Sequence, residues 1–304
     1  MGGSFNLKEK ILAIVGAALV FMAAPAMTWA AEPVAQQEET YKSQCYDADG
    51  PVIIEGAMDV ETDYIASQLS NARREQVGPY KCVSGTYEGI PLVVLKTEQE
   101  GANASASTAL AIEKFHPRAV INQGTSGGHD PALHTFDIVL GKYTEAADAW
   151  VSEPAGKGAG ADYKAISYED GVYSYDSKKG KFTKKRRHTG DSRLMEAARA
   201  ARGTYKDGNI VEGVISTSNE WNQQVDRILF LHQFTGSSCE EMESNEAAVI
   251  CQNYDIPFLA IRVLSNTCLH NEEFNPAAGE ACQKFVLNVV KEYAAGTLAE
   301  KVRA

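Results

Sequence analysis

The chain has 304 residues, of which 44% are apolar and 23% are charged, and this composition fits one large globular domain better than a disordered or fibrous protein. The formal net charge is -11 at pH 7. A negative field of this size repels phosphate backbones and anionic lipids, so nucleic acid and anionic membrane surfaces are excluded as expected partners.

The N-terminal segment, residues 1–30, has the layout of a secretory signal peptide. Two lysines precede the apolar stretch Ile11–Ala30, which ends in small residues. An uncleaved membrane anchor is the alternative, because this stretch is nearly long enough to span a bilayer, but Pro25 and the small residues favour cleavage. We therefore expect an exported protein, periplasmic or secreted, with one mature domain over residues 31–304 and no membrane contact after cleavage.

Predicted strands alternate with predicted helices along the mature chain. Short apolar runs predict strands at Pro51–Glu55, Pro91–Lys96, Ala119–Asn122, Phe136–Gly141, Asn209–Ser216 and Ile256–Ser265. Helical patterns lie between them at Val60–Ala72, Ala104–Phe115, Ser192–Ala201, Val225–Phe234, Glu243–Tyr254 and Ala281–Val302. Several runs are apolar throughout, which is typical of strands buried on both faces. The alternation predicts an α/β fold of three layers, αβα, around a mixed sheet.

The segment from Lys157 to Arg187 departs from this alternation. It is rich in Gly, Lys, Tyr and Ser, and it closes with KKGKFTKKRR. A solvated excursion or a loop at the edge of a lid is the ordinary interpretation of such a composition. A patch that binds polyanions is the alternative.

Six cysteines in an exported chain allow three disulfides, although the sequence cannot choose among the possible pairings. We expect a bridge between Cys268 and Cys282, because a loop lies between them. Cys251 lies inside an apolar helical stretch, where a buried free thiol is the simpler expectation.

Three predicted strand ends carry polar residues suited to ligand binding. The first strand leads into a helix start with Asp59 and Glu61, another runs into Gly124–Gly128, and the acidic run Glu240–Glu243 precedes an apolar helix. Each feature alone also has a structural explanation, since the helix dipole favours carboxylates at helix starts and glycine-rich loops are often plain turns. Ligands of α/β sheets bind beyond the carboxyl ends of strands, so together these ends predict one shared crevice.

Four ordered motifs resemble the 5'-methylthioadenosine/S-adenosylhomocysteine nucleosidases of the purine nucleoside phosphorylase superfamily. They are GAMDVET at 56–62, AVINQGTSGGHDPAL at 119–133, DIV at 137–139 and EMESNEAAVICQNYDIPFLAIRVLSN at 241–266. The similarity runs from about Val52 to Val302 and is weakest between Tyr143 and Lys185. It implies a single-domain αβα fold around a partly barrel-like sheet, a homodimer as the usual assembly, and neither a metal ion nor a cofactor.

The resemblance also implies roles for individual residues. Glu61 stands where the family keeps the carboxylate that activates the attacking water. Met242 and Glu243 stand where it holds the ribose, and Thr125 lies where a serine neighbours the sugar. Breaking an N-glycosidic bond passes through an oxocarbenium-like sugar, so one carboxylate must aim water at the anomeric carbon while another holds the hydroxyls.

Further candidates for substrate binding come from the same motifs: Met58, Ser126, Gly127 and Glu241. Trp221 is a candidate for stacking on the base. The family places its stacking aromatic one position earlier, where this chain has Glu220. A purely structural role for Trp221, in the core or on the surface, is therefore an equal alternative.

Asn266 is a departure from the family pattern. The family keeps there an aspartate that gives a proton to N7 of the departing purine, whereas an amide can only donate a hydrogen bond. Phosphorylases for 6-oxopurines use an asparagine in this task, so Asn266 can indicate a hypoxanthine- or guanine-type base. Alternatively, it marks weakened or lost catalysis in a protein that binds or stores nucleosides.

Water is the expected nucleophile. Phosphorylases of the hexameric type carry arginines after the first strand and before the Gly-Ser loop, because phosphate needs fixed donors. This sequence has Gly56–Asp59 and Asn122–Gln123 at those places. The leading hypothesis is therefore an exported purine nucleosidase acting on a small-molecule nucleoside. The alternatives are a nucleoside-binding or storage protein on the same fold and a disulfide-stabilised interaction protein.

Overall fold

The computed structural model describes residues 41, 43–160, 162, 164–167 and 171–303. The predicted signal peptide, residues 1–30, lies outside this part of the chain. No helix among the described residues combines the length and the apolar character that crossing a bilayer requires.

The described residues form strands and helices in the predicted alternation. The helices are α1 (Asp59–Ser67), α2 (Gly101–Phe115), α3 (Ser192–Ala201), α4 (Val225–Thr235), α5 (Ser244–Asn253) and α6 (Ala277–Arg303). The strands are β1 (Val52–Gly56), β2 (Ser70–Val77), β3 (Tyr80–Tyr87), β4 (Ile90–Lys96), β5 (Ala119–Gly128), β6 (Ile138–Ala146), β7 (Val151–Ser152), β8 (Ile166–Ser167), β9 (Val172–Asp176), β10 (Lys181–Lys185), β11 (His188–Thr189), β12 (Ile210–Thr217), β13 (Ser237–Glu241) and β14 (Phe258–Asn266).

One mixed sheet organises the molecule, with the strand order β11-β6-β12-β13-β5-β1-β4-β3-β2. Strand β14 pairs in parallel with β5 and antiparallel with β6, so it joins two strands that are distant in this order. The five strands β5, β13, β12, β6 and β14 therefore close a ring, while β1 to β4 extend as an open wing. This arrangement confirms the predicted α/β fold with a mixed, partly barrel-like sheet.

Helices cover the sheet on both faces. Helices α1, α3 and α6 pack together on one face, and α2 packs with α5 on the other. In β1, Ile54 belongs to the core under the first group and Ile53 to the core under the second. Successive strand residues point to opposite faces, which explains why this strand is apolar throughout.

Strands β2 and β13 lack the local sequence pattern that would have predicted them. The residues at the start of β2 were assigned to the predicted helix Val60–Ala72, which is too long, because α1 ends at Ser67 and β2 follows. The residues of β2 are polar and mostly exposed, and they form a strand through antiparallel pairing with β3. Strand β13 is mostly polar yet fully buried, so it has no apolar alternation either. Pairing with distant strands, rather than local periodicity, defines both.

The segment Lys157–Arg187 is an excursion that contains a hairpin of β9 and β10. The hairpin is held against α5, where Asn253 Oδ1 accepts a hydrogen bond from the Tyr175 amide at 2.6 Å. Tyr173 and Phe182 are exposed. The structure thus agrees with an excursion, and binding of polyanions stays a prediction.

The expected bridge between Cys268 and Cys282 is wrong, and all six thiols are free. Cys282 is buried in the core, where its Sγ lies 3.9 Å from the Ile261 carbonyl oxygen, while Cys268 lies in the partly exposed loop after β14. Cys251 is a buried free thiol, as predicted. Helix α6 begins at Ala277 and carries Cys282 inward, which separates it from the loop.

Thiol accessibility provides a test of this cysteine arrangement. We expect Ellman's reagent to react in the native protein with Cys268, because the other five thiols are buried and burial raises the pKa of Cys82 to about 11 and of Cys239 to about 12. Cys268→Ser should remove the native reaction. In guanidinium chloride without reductant, all six thiols should react, and a smaller number would reveal a disulfide that contradicts the structure.

Candidate active site

A cavity of about 250 Å³ opens where β1, β5, β13 and β14 end. It is lined by every residue that the sequence nominated for the site, namely Met58, Glu61, Thr125, Ser126, Gly127, Trp221, Glu241, Met242, Glu243 and Asn266. These residues come from five separate stretches of the chain. The sheet brings them together because neighbouring strands end at the same edge.

Glu61 is buried at the floor of this cavity and accepts four hydrogen bonds. Its Oε2 accepts from the amides of Ala57 at 2.8 Å and Met58 at 3.1 Å. Its Oε1 accepts from the Thr125 amide at 2.7 Å and the Thr125 hydroxyl at 2.8 Å. Glu61 lies in the first turn of α1, where the amides at the end of β1 point at its side chain. The carboxylate is therefore fixed in one position between β1 and β5.

Gly124 provides the space that this carboxylate occupies. A Cβ atom at residue 124 would lie 2.6 Å from Glu61 Oε1 and 2.7 Å from Arg262 Nη1. Real carbon atoms do not approach so closely, so any side chain here would displace the carboxylate or the guanidinium. The glycine is explained by close approach of two charged groups rather than by a turn.

Arg262 is a site residue that sequence reasoning missed. It is 1% exposed in the middle of β14, and its guanidinium contacts Glu241 Oε2 at 2.5 Å and Glu243 Oε2 at 3.5 Å. Asn122 Oδ1 accepts a further hydrogen bond, and Ser244 Oγ another at 3.1 Å. The sequence does contain a signal for this residue, because an arginine inside the apolar run FLAIRVLS is expected to be buried and then requires buried acidic partners.

Glu241 mainly holds the framework of the site. Its carboxylate accepts hydrogen bonds from the amides of Glu243 at 3.0 Å and Ser244 at 2.9 Å, where α5 begins. The Thr217 hydroxyl donates to it at 2.5 Å, and Arg262 pairs with it. Glu241 lines the cavity, but most of its acceptor capacity is used within the protein.

Glu243 has a different electrostatic environment. Burial raises its pKa well above the usual value, the Arg262 charge opposes that shift, and the negative charges of Glu241 and Glu61 add to it. Its Oε1 accepts one hydrogen bond, from the Glu100 amide at 3.1 Å. A carboxyl group with a raised pKa and few internal partners can both donate and accept toward a bound ligand.

Asn266 ends β14 opposite Gly127 of β5. The Ser265 hydroxyl lies 3.1 Å from Asn266 Oδ1, which directs Nδ2 toward Gly127. A Cβ atom on Gly127 would meet that Nδ2 at 3.6 Å. Asn266 therefore presents a hydrogen-bond donor above a strand that carries no side chain at this point.

Trp221 lies at the rim of the cavity and is 59% exposed. The preceding residue, Glu220, forms an ion pair with Arg227 at 2.7 Å. The family's aromatic position therefore holds an ion-paired acid, and stacking by Trp221 stays a prediction.

A buried pair, His129 and Glu240, also lines the cavity and was not selected from the sequence. His129 Nε2 lies 3.0 Å from Glu240 Oε2, and Nδ1 lies 3.0 Å from Ser237 Oγ. The Ser218 hydroxyl donates to Glu240 Oε1 at 2.5 Å. His129 belonged to a quoted motif and Glu240 to the acidic run that precedes α5, but nothing local indicated that the two residues meet.

The role of Gly124 can be tested with one methyl group. Gly124→Ala should lower the free energy of unfolding by about 1 to 3 kcal/mol, because the added Cβ overlaps Glu61 and Arg262. Urea unfolding measures this change. Gly203→Ala is the control, since a Cβ there meets nothing within 4 Å, and it should be neutral or slightly stabilising. Equal stability of the two variants would contradict the close approach at Gly124.

Comparison with known proteins shows a family and a set of relatives. The family profile described as the phosphorylase superfamily matches residues 51–294. A 5'-methylthioadenosine/S-adenosylhomocysteine nucleosidase from Anoxybacillus flavithermus is 29% identical over 238 residues, which are 78% of this chain and 93% of that protein. The family predicted from the four motifs is therefore confirmed.

Solved structures show the same fold. The fold is similar to a methylthioadenosine/S-adenosylhomocysteine nucleosidase from Colwellia psychrerythraea in complex with adenine, with a TM-score of 0.66, 22% identity and coverage of 81% of this chain and 97% of that one. Futalosine hydrolase of Helicobacter pylori gives a TM-score of 0.65 at 19% identity, with coverage of 80% and 98%. At these identities the structural similarity establishes the architecture.

Proposed function

The chain belongs to the phosphorylase superfamily, and we propose that it is a purine nucleosidase that hydrolyses the N-glycosidic bond of a purine nucleoside. The observation that carries this proposal is the fixed Glu61 carboxylate, which shares one cavity with Met242, Glu243 and Asn266. The relatives named as nucleosidases support it, because they match this chain over almost their whole length.

Glu61 is the general base of the proposed reaction. It lies beside the Thr125 hydroxyl, so a water bound between these two groups has one partner that orients it and one that removes its proton. Met242 gives the sugar an apolar floor. Glu243 holds the ribose hydroxyls, and its raised pKa allows it to donate as well as accept.

Water, rather than phosphate, is the proposed nucleophile. None of the described residues that line the cavity is a lysine or an arginine. Arg262 lies beneath the cavity, where Glu241 and Glu243 pair with its guanidinium. A phosphate ion would therefore meet the buried acids Glu61 and Glu243 without a matching donor, whereas a neutral water molecule would not be repelled.

The base is proposed to be a 6-oxopurine. Asn266 Nδ2 faces the space above Gly127 as a donor, and it can bond to N7 or to an oxygen at C6. It cannot supply the proton that helps an adenine leave. A base with an acceptor at C6 therefore fits this amide better than one with an amino group.

Export and dimer formation are also proposed. The charged start and apolar stretch of residues 1–30 support export, and the family's usual assembly supports a homodimer.

The nucleophile assignment is tested with Glu61→Gln. Base release should fall by about 10²- to 10⁴-fold, because an amide cannot take a proton from water, while affinity for the free base should change little. Asp59→Asn is the matched control, since Asp59 lies on the same helix but pairs with Lys96 outside the cavity. It should retain activity.

Product analysis separates hydrolysis from phosphorolysis. Activity should not depend on phosphate, and the sugar product should be free ribose or its 5'-substituted form. Ribose 1-phosphate among the products would refute the proposed nucleophile. Absence of base release from all purine nucleosides would instead favour a binding or storage protein.

The proposed role of Asn266 in base selectivity is tested by replacing it with the aspartate that the family keeps at this position. Asn266→Asp should shift preference from inosine toward 5'-methylthioadenosine by about tenfold or more, because a carboxylic acid can protonate N7 and an amide cannot. Initial rates of base release on both substrates measure the shift. Asn288→Asp, a change of the same kind on α6 outside the cavity, is the control. A wild-type preference for 5'-methylthioadenosine would contradict the 6-oxopurine assignment.

A further inference from the structure

We propose that Glu55, a buried acid of β1 that does not line the cavity, is a positioning residue for the part of the site that holds the sugar. It orients the Asn122 amide, and Asn122 in turn holds the Arg262 guanidinium beside Glu243. This inference rests on the proposed function, and it deepens that function by naming a residue that controls how tightly the sugar is bound.

Glu55 is fully buried near the end of β1, on the same face of the strand as Ile53. The Thr108 hydroxyl of α2 donates to its Oε1 at 2.7 Å, and Asn122 Nδ2 of β5 donates to its Oε2 at 3.0 Å. Both of these partners are neutral. A buried carboxyl group whose hydrogen bonds come from neutral groups is costly, so its presence calls for a role other than stability.

The hydrogen bond from Asn122 to Glu55 does not depend on the charge of Glu55. Burial raises the pKa of Glu55 to about 7, against the lowering effects of its two hydrogen bonds and of the Arg262 charge. Both protonation states are therefore populated near neutral pH. A proton on Oε1 can be donated to the Thr108 hydroxyl, which leaves Oε2 as an acceptor in either state.

The neighbours of Asn122 determine which way its amide points. Its Oδ1 accepts a hydrogen bond from Arg262 Nη2, and the Ser244 hydroxyl lies 3.2 Å from the same oxygen. Its Nδ2 donates to Glu55 on the other side. A reversed amide would place donors against the guanidinium and an oxygen against the Glu55 carboxyl group. Without an acceptor at residue 55, Nδ2 loses its partner, and nothing holds the amide oxygen toward Arg262 from that side.

Arg262 connects this amide to the acids of the cavity. Its Nη2 is shared by Asn122 Oδ1, by Glu241 Oε2 at 2.5 Å and by Glu243 Oε2 at 3.5 Å. The contact with Glu243 is the longest of the three, so it is the most easily broken when the guanidinium moves. Glu243 is also the residue proposed to hold the ribose hydroxyls.

Other parts of the site lie outside this chain of contacts. Glu61 is held by backbone amides after β1 and by Thr125. Asn266 has Ser265 as its hydrogen-bond partner. Loss of the acceptor at Glu55 should therefore weaken binding of the sugar while the water-activating group and the base contacts stay in place.

Calorimetry with a nucleoside and with its free base tests this expectation. In the Glu61→Gln background the nucleoside is hardly cleaved, so inosine and hypoxanthine can be measured separately. Adding Glu55→Leu should weaken binding of inosine by about tenfold or more and leave binding of hypoxanthine nearly unchanged, because the lost contact concerns the sugar. Equal losses for both ligands, or no loss for either, would overturn the inference.

The pair 5'-methylthioadenosine and adenine is measured in parallel, so the result does not depend on which base the site prefers. Binding of neither pair in the Glu61→Gln background would overturn the inference. Absence of base release by wild type, together with the expected pattern of binding, would refute only the proposed nucleosidase.

A conservative variant and a packing control separate positioning from stability. Glu55→Gln should restore the affinity for inosine, because the glutamine oxygen can accept from Asn122 while its amide donates to Thr108. Ile53→Val removes a buried methyl group from the same face of β1 without touching these hydrogen bonds. It should leave the ratio of inosine to hypoxanthine affinity unchanged. A changed ratio would assign the effect to packing of β1 and would overturn the inference.

A double-mutant cycle tests whether Glu55 acts through Asn122. Asn122→Ala should itself weaken binding of inosine, and Glu55→Leu should then cause little further loss, whereas additive losses would contradict the proposed route. Circular dichroism checks that each variant folds. Glu55→Met, with a more adaptable side chain, replaces Glu55→Leu where the leucine variant does not fold. Failure of both variants to fold would make Glu55 a purely structural residue and would overturn the inference.

Discussion

The burial of the Arg262 guanidinium is the interaction on which the site depends. An arginine that is 1% exposed in the middle of a strand is stable only when acids and hydrogen-bond acceptors surround it. Glu241 and Glu243 supply the charge, while Asn122 and Ser244 supply acceptors. The requirement to neutralise one cation therefore brings the end of β13 and the start of α5 to the middle of β14.

The same constraint explains several features that look unrelated. Gly124 lacks a side chain because Glu61 and Arg262 approach it from two directions. Strand β13 is polar and yet buried because its acids are the partners of this cation and of His129. Burial raises the pKa of Glu243, and the Arg262 charge that opposes this shift is shared with Glu241. A site with this many fixed charges is rigid, which suits a reaction that needs water aimed at one carbon atom.

The charge distribution also divides the cavity into two parts. One part contains Glu61, Glu243 and the framework acid Glu241, an arrangement that disfavours an anionic nucleophile. In the other part, an amide and a carboxylate flank Gly127 on neighbouring strands. The departure of Asn266 from the family pattern and the presence of the His129–Glu240 pair thus occur in the same part of the site.

The sequence by itself determined the alternation of strands and helices, the family, and ten of the residues that line the cavity, because these depend on local periodicity and on contiguous motifs. It did not determine β2 or β13, the free state of Cys268 and Cys282, or the partners of Arg262 and Glu240. Local patterns report whether a residue is buried, but they do not report which distant residue meets it. Only the closure of the sheet by β14 and the register against Gly127 decided those contacts.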